Sequence, residues 1–139
     1  MDKVKFARQF IEAIPHARDL SMELTRLEDG EAEMTMPYDA RLVGDPATGV
    51  IAGGAVSAVL DTCCGAAVMS HPANPLGTAT IDLRISYMRA AEPGQTIRCV
   101  ATCYHVTRSV AFVRAVAHDA DADNPVATAS GSFTVERKR

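Results

Sequence analysis

The chain has no block of positive charge, no CxxC pair and no long apolar leader, and each absence removes a class of function. Its 14 Lys and Arg stand against 17 Asp and Glu, a net charge of −3 over 139 residues. A non-specific nucleic-acid binder would carry a basic face or stripe. The one basic run is Arg137-Lys138-Arg139, which reads as a solvated, frayed tail over 136–139. Cys63, Cys64, Cys99 and Cys103 have no CxxC spacing and no His at zinc-ligand spacing, so no metal site is expected. They read as reduced core thiols rather than a disulfide framework. The first residues, MDKVKFARQF, lack the apolar stretch of a secretory leader, and a cytoplasmic protein is expected. There are no repeats, linkers or low-complexity segments. The length suits one domain spanning 1–139.

What is present is strongly patterned. Apolar residues make up 47% of the chain and charged residues 22%, ordinary for a globular protein. Residues 4–14 place Val4, Ala7, Phe10, Ile11 and Ile14 at helical spacing, and Pro15 closes a short amphipathic helix within residues 1–16. LSMELTRLEDGEAEMTM reads as two strands around Asp29-Gly30. Residues 37–48 form a loop. Residues 50–69 then run twenty positions with the single charge of Asp61, enough to span a bilayer. A carboxylate at mid-membrane costs on the order of 2.5–3.5 kcal/mol, and the run is rich in Gly, Ala and Cys. Burial in a protein core is therefore expected, with a helix over 54–70 stopped by His71-Pro72 and Asn74-Pro75. No membrane association is expected.

The rest reads as strand. Ala79, Ile81, Leu83, Ile85 and Tyr87 alternate with Thr80, Asp82, Arg84 and Ser86. Residues 95–106 and 109–118 form a hairpin around Thr107-Arg108. DADADN turns the chain, and residues 126–135 make the last strand. The expected order is helix, hairpin, long buried helix and four strands in meander. One apolar helix and six antiparallel strands pack by curling the sheet around the helix, an α+β architecture of hotdog type.

Asp61 is the anomaly of the sequence. A carboxylate inside an apolar helix must be paired, protonated or facing a cleft. At helical spacing its neighbours are Gly54, Ser57, Ala58, Cys64, Gly65 and Val68, a face of small residues for the most part. Such a face suits a close-approaching ligand or chain, and it equally suits a carboxylate satisfied by a nearby strand. Gly53-Gly54 opens the helix, where free N–H groups and the helix dipole favour a developing oxyanion; the glycines would also serve a tight loop-to-helix turn. Gly53 and Asp61 are about 12 Å apart along one helix axis, whereas an oxyanion donor and a base must both lie about 3 Å from one carbonyl. If both are catalytic, they act from two chains of at least a dimer. Arg89 and Arg108, in or near loops, could meet phosphates or lie solvated. In the second hairpin His105 is expected near Ala111 and His118 near Arg98, unpaired with each other, with His16 and His71 in loops.

GVIAGGAVSAVLDTCCGAAV followed by TATIDLRISYMRAAEPGQ resembles the phenylacetate-pathway-type (PaaI-like) acyl-CoA thioesterases. Their pattern is G-x-x-H-G-G, a helical Asp or Glu about eight residues on, then T-x-D-L-x-x-x-Y-x-R-P-A-x-x-G. The resemblance spans residues 20–135. It implies hydrolysis of an acyl-CoA to acid and thiol without metal or cofactor. It further implies Asp61 as nucleophile or general base, the Gly53 amide polarising the carbonyl, and Thr80 orienting water or the carboxylate. Gly54 and position 52 would border the substrate, and the assembly would be a homodimer or a dimer of dimers. The sequence departs where the family's His is Ala52, where Asp45-Pro46 replaces a loop Asn, and where Ala90 replaces a Pro. A non-catalytic hotdog module that binds acyl thioesters or supports an assembly is the alternative that Ala52 favours.

Overall fold

A computed structural model describes residues 3–137. Helix α1 spans Lys3–Glu12 and α2 spans Pro15–Asp19. Pro15 ends the first helix as expected but also opens the second, since proline's fixed φ suits a first helical position; His16 thus lies on a helix and not in a loop. Strands β1 (Glu23–Glu28) and β2 (Glu31–Met36) flank Asp29-Gly30, with Gly30 at φ 73°. The 37–48 segment is less irregular than its sequence implies. It holds a 3-10 turn at Ala40–Leu42 and strand β3 (Val43–Asp45), which pairs with β4 (Val50–Ile51) in a small separate sheet. Helix α3 covers Gly53–Met69, followed by β5 (Thr80–Tyr87), β6 (Ile97–Val106), β7 (Val110–His118) and β8 (Ala127–Thr134).

The six-stranded sheet runs β1-β2-β6-β7-β8-β5, every pairing antiparallel. Only β6, β7 and β8 form a meander. The expected fourth member, β5, pairs instead with the far side of β8 and becomes an edge. Alternation in a sequence shows that a strand has one buried side; it does not show which neighbour the strand takes. The second hairpin carries a bulge between Cys103 and His105. It moves His105 opposite Phe112, on which its ring stacks at 6.0 Å, rather than opposite Ala111. His118 pairs with Arg98 as expected.

The concave face of the sheet holds α3 through Val56, Val59, Leu60, Cys63, Ala67 and Val68. Facing positions on β6 and β7 are small, Cys99, Ala101, Ala111 and Ala115 among them, so the helix can sit close. All four cysteines are buried and free. The Cys63 thiol lies 3.4 Å from the Ala32 carbonyl, and burial pushes it and Cys99 far toward the protonated form. Cys64 is pushed up to about 12 by burial and by nearby Asp61. These thiols are packing groups and not nucleophiles.

The two sheet edges differ. α1 packs along β1, where Nε and Nη2 of Arg8 donate to the Leu24 carbonyl at 3.1 and 3.0 Å. Among the described residues β5 has no such cover: Ile81 is 55% exposed and Tyr87 52%. It lies close on β8 because position 131 is glycine; a Cβ there would collide with the Asp82 carbonyl and meet Leu83 Cα at 3.0 Å. The loop after β5 is fixed by Arg89, whose guanidinium grips Asp119 at 2.6 and 2.7 Å. Asp119 is buried and also accepts the N–H groups of Glu92 and Asp121, each at 3.0 Å. Arg137 is not frayed, since it donates to the carbonyls of Arg108, Thr107 and Ala73; Lys138 and Arg139 lie outside the described residues. No helix among the described residues is long and apolar enough to cross a membrane.

Two stability outcomes follow from these contacts. Gly131→Ala should cost about 1–3 kcal/mol, the usual range for overpacking, read as a lower urea midpoint at constant slope. The Arg89 guanidinium, and after it the Glu92 and Asp121 N–H groups, hold the Asp119 carboxyl well below the usual carboxylate range. A carboxylate lowered on folding adds stability above its unfolded pKa, about 3.9, and loses it as pH falls through the folded value. Asp119→Asn should therefore melt several degrees below the parent at neutral pH, and the gap should close as melting is repeated below about pH 4.

Candidate active site

The sheet covers one side of α3 and leaves the other open. Along the open side run Gly53, Gly54, Ser57, Ala58, Asp61 and Gly65, exposed or half-buried, among which Asp61 carries the only formal charge. Cys64 and Val68, placed beside Asp61 by spacing, turn into the core instead.

Asp61 is held by one strand residue. Thr80, first in β5, donates its hydroxyl to Asp61 Oδ1 at 2.6 Å. That bond orients the carboxylate, and among the described residues no protein group donates to Oδ2, on the open side of the helix. Thr80 and Asp61, 19 residues apart in the chain, are thus brought together.

At the start of α3, Ala52 occupies the N-cap without a side-chain hydrogen bond. The Ala55 and Val56 N–H groups turn back to the Ala52 carbonyl at 3.0 and 3.4 Å. This leaves the N–H groups of Gly53 and Gly54 as the helix's unsatisfied donors among the described residues. Neither glycine has a positive φ, so a tight turn does not account for them. A Cβ at Gly54 would meet nothing within 4 Å, and one at Gly53 would reach only ordinary contact with the Tyr87 ring at 3.4 Å. Glycine in a helix costs up to about 1 kcal/mol relative to alanine, and nothing within one chain requires it at 54.

Two grooves flank this helix start. One, of about 290 Å³, is bordered by Gly54, Ala52, Leu20, Arg41 and His16. The other, of about 300 Å³, is bordered by Gly53, Tyr87, Met88 and Val126. Tyr87, read in the sequence as an apolar strand position and as the Tyr of the family pattern but given no role, donates its hydroxyl to the Gly53 carbonyl at 2.7 Å. Its place at the end of a clean alternation hid that role.

The two arginines are not brought together. All five N–H donors of Arg89 are taken: the Asn124 carbonyl accepts two, the Ala90 carbonyl one and Asp119 two. Arg89 has none left for a phosphate. Arg108 is exposed at the opposite end of the sheet, in the turn that Arg137 ties to Ala73 beyond the C-terminus of α3. Among the described residues no three His, Cys, Asp or Glu side chains are grouped closely enough to hold a metal ion.

Comparison with known proteins identifies the fold and the family. The profile of the Thioesterase superfamily matches residues 48–125, which include β4, α3, β5, β6 and β7. A Salmonella typhimurium protein named medium/long-chain acyl-CoA thioesterase YigI is 28% identical, over 91% of this chain and 88% of its own. A crystal structure of a Pseudomonas aeruginosa protein superposes with a TM-score of 0.83 at 33% identity, covering 94% of this chain and 97% of that one. The Escherichia coli PaaI protein from the phenylacetic acid degradation operon shares the fold, with a TM-score of 0.84 at 19% identity over 96% and 92% of the two chains. A curled antiparallel sheet around one helix, with a carboxylate on the helix's open side, is thus the hotdog fold, and the chain belongs to the thioesterase superfamily.

Proposed function

We propose that this chain hydrolyses an acyl-CoA, or a related acyl thioester, to the free acid and thiol at sites shared between two copies. The observation that carries the reading is the open side of α3, where a carboxylate and two free N–H groups lie on one small-residue surface yet about 12 Å apart along the axis. Two such helices running antiparallel across a twofold axis bring Asp61 of one beside Gly53 and Gly54 of the other. The uncovered β5 edge, next to both groups, gives the second copy a strand to pair with.

In each composite site the Gly53 and Gly54 N–H groups receive the thioester oxygen as it gains negative charge. Asp61, oriented by Thr80, accepts a proton from water. The water oxygen bonds to the carbonyl carbon, the C–S bond breaks, and the proton passes to the departing thiolate. Direct attack by Asp61, with water then releasing the acid from the anhydride, uses the same placement. The grooves on either side of the helix start suit a substrate that extends both ways from its reacting carbonyl. The name of the Salmonella typhimurium relative favours a medium or long acyl chain. Arg108, exposed, remains a candidate phosphate contact.

Ala52 favours a second reading, a non-catalytic module that binds acyl thioesters, because no side chain at that position can polarise or position the substrate. Aromatic and aliphatic acyl-CoAs assayed with a thiol-reactive dye separate the two. Asp61→Asn should lower kcat by about 10²–10⁴-fold, and full activity in that variant would exclude the mechanism, as would a monomer at assay concentration. Binding without turnover of any thioester would establish the module. Gly54→Ala supplies an independent check: it should hold or raise the chain's stability by up to about 1 kcal/mol while lowering activity, because its methyl group occupies space the second copy or the substrate needs.

A further inference from the structure

Resting on the reading above, we infer that Tyr87 is a positioning residue that fixes and polarises the oxyanion donor of Gly54. The Gly53 carbonyl and the Gly54 N–H belong to one planar peptide unit. Tyr87 donates its hydroxyl to that carbonyl at 2.7 Å, and a Cβ on Gly53 would lie 3.4 Å from its Cε1 and Cζ atoms. Holding the oxygen of a rigid plane also sets the direction in which the N–H at its other side points.

The need for such a hold is local. Two successive glycines have the widest backbone freedom of any pair, and they occupy the first turn of a helix whose N-cap residue, Ala52, makes no side-chain bond. First turns fray where caps are missing. Tyr87 supplies from β5 the restraint that position 52 does not supply from within the helix. Its hydrogen bond also draws electron density toward the carbonyl oxygen, which makes the N–H of the same amide a stronger donor, an increment of about 10–30% per linked bond. Because an oxyanion gains more from a stronger donor than a neutral carbonyl does, the effect falls on kcat more than on binding.

Tyr87→Phe removes the hydroxyl and keeps the ring. The expected result is a fall in kcat of about tenfold, with KM within about twofold and a melting temperature close to the parent's, the pattern of a contact that strengthens in the transition state. A structural role alone would move stability and leave a second readout untouched: the infrared carbonyl stretch of an acyl-CoA bound to Asp61→Asn. Adding Tyr87→Phe should return that stretch toward its value in water. Parent-like kcat with an unmoved stretch would overturn the inference alone, whereas absence of turnover by the parent on every thioester would overturn the underlying reading and this one with it. If the Phe variant melts below assay temperature, a fluorinated tyrosine at 87 decides, since a stronger donor of similar size must deepen the carbonyl shift and an unchanged shift refutes the idea.

Discussion

Everything in this molecule is arranged around a helix packed on one side only. Val56, Val59, Leu60 and Cys63 bury completely against a sheet whose facing positions are largely alanine and cysteine. Small partners let the sheet curl closely, and the same seating fixes the rotation of α3 about its axis. Once that rotation is set, Gly53, Gly54, Ser57, Ala58, Asp61 and Gly65 can only face outward. A carboxylate on that side escapes the desolvation cost that makes buried charges rare, and a row of small residues keeps the approach to it clear. Core packing and site exposure are two consequences of one constraint.

Strand β5 converts the open side into a defined site. Its first residue, Thr80, holds Asp61, and its last, Tyr87, holds the peptide at Gly53. Both groups on the helix therefore take their geometry from one strand. That strand is seated on β8 through Gly131 and anchored beyond its end by the Arg89–Asp119 pair. Its outer edge is bare while the opposite edge of the sheet is covered by α1 and Arg8. The asymmetry matters because an exposed strand edge invites pairing, and here pairing would occur beside the groups that the proposed mechanism divides between two copies.

The helix, the first hairpin and the separation of Asp61 from Gly53 along one axis were legible in the sequence because each rests on local spacing: a long apolar run, an Asp-Gly turn and a rise of 1.5 Å per residue. What could not be read depends on contacts far apart in the chain. The alternation of residues 79–87 signals a strand but is silent on whether β6 or β8 lies beside it. Arg89 shows a charge near a loop, and nothing in its surroundings announces a partner thirty residues on. Strands β3 and β4, of three and two residues, are too short for any periodicity. Tyr87 fits both the apolar alternation and the Tyr of the family pattern, yet neither assigns its hydroxyl a partner; only the structure shows where it goes.

The lack of a polar side chain at position 52 takes on a particular meaning in this geometry. A Cβ on Gly44 would lie 2.8 Å from the Ala52 Cα, so the backbone of β3 stands closer to the helix start than any side chain at 44 would permit. On the other flank the Tyr87 ring stands against Gly53. The first peptides of α3 are thus walled by a strand backbone on one side and an aromatic ring on the other, while a Cβ at Gly54 would meet no described atom within 4 Å. A helix start held from outside needs no capping side chain to keep its donors aimed. Ala52 therefore leaves the helix start without a polar capping group but not without order, which is what the proposed oxyanion site would depend on.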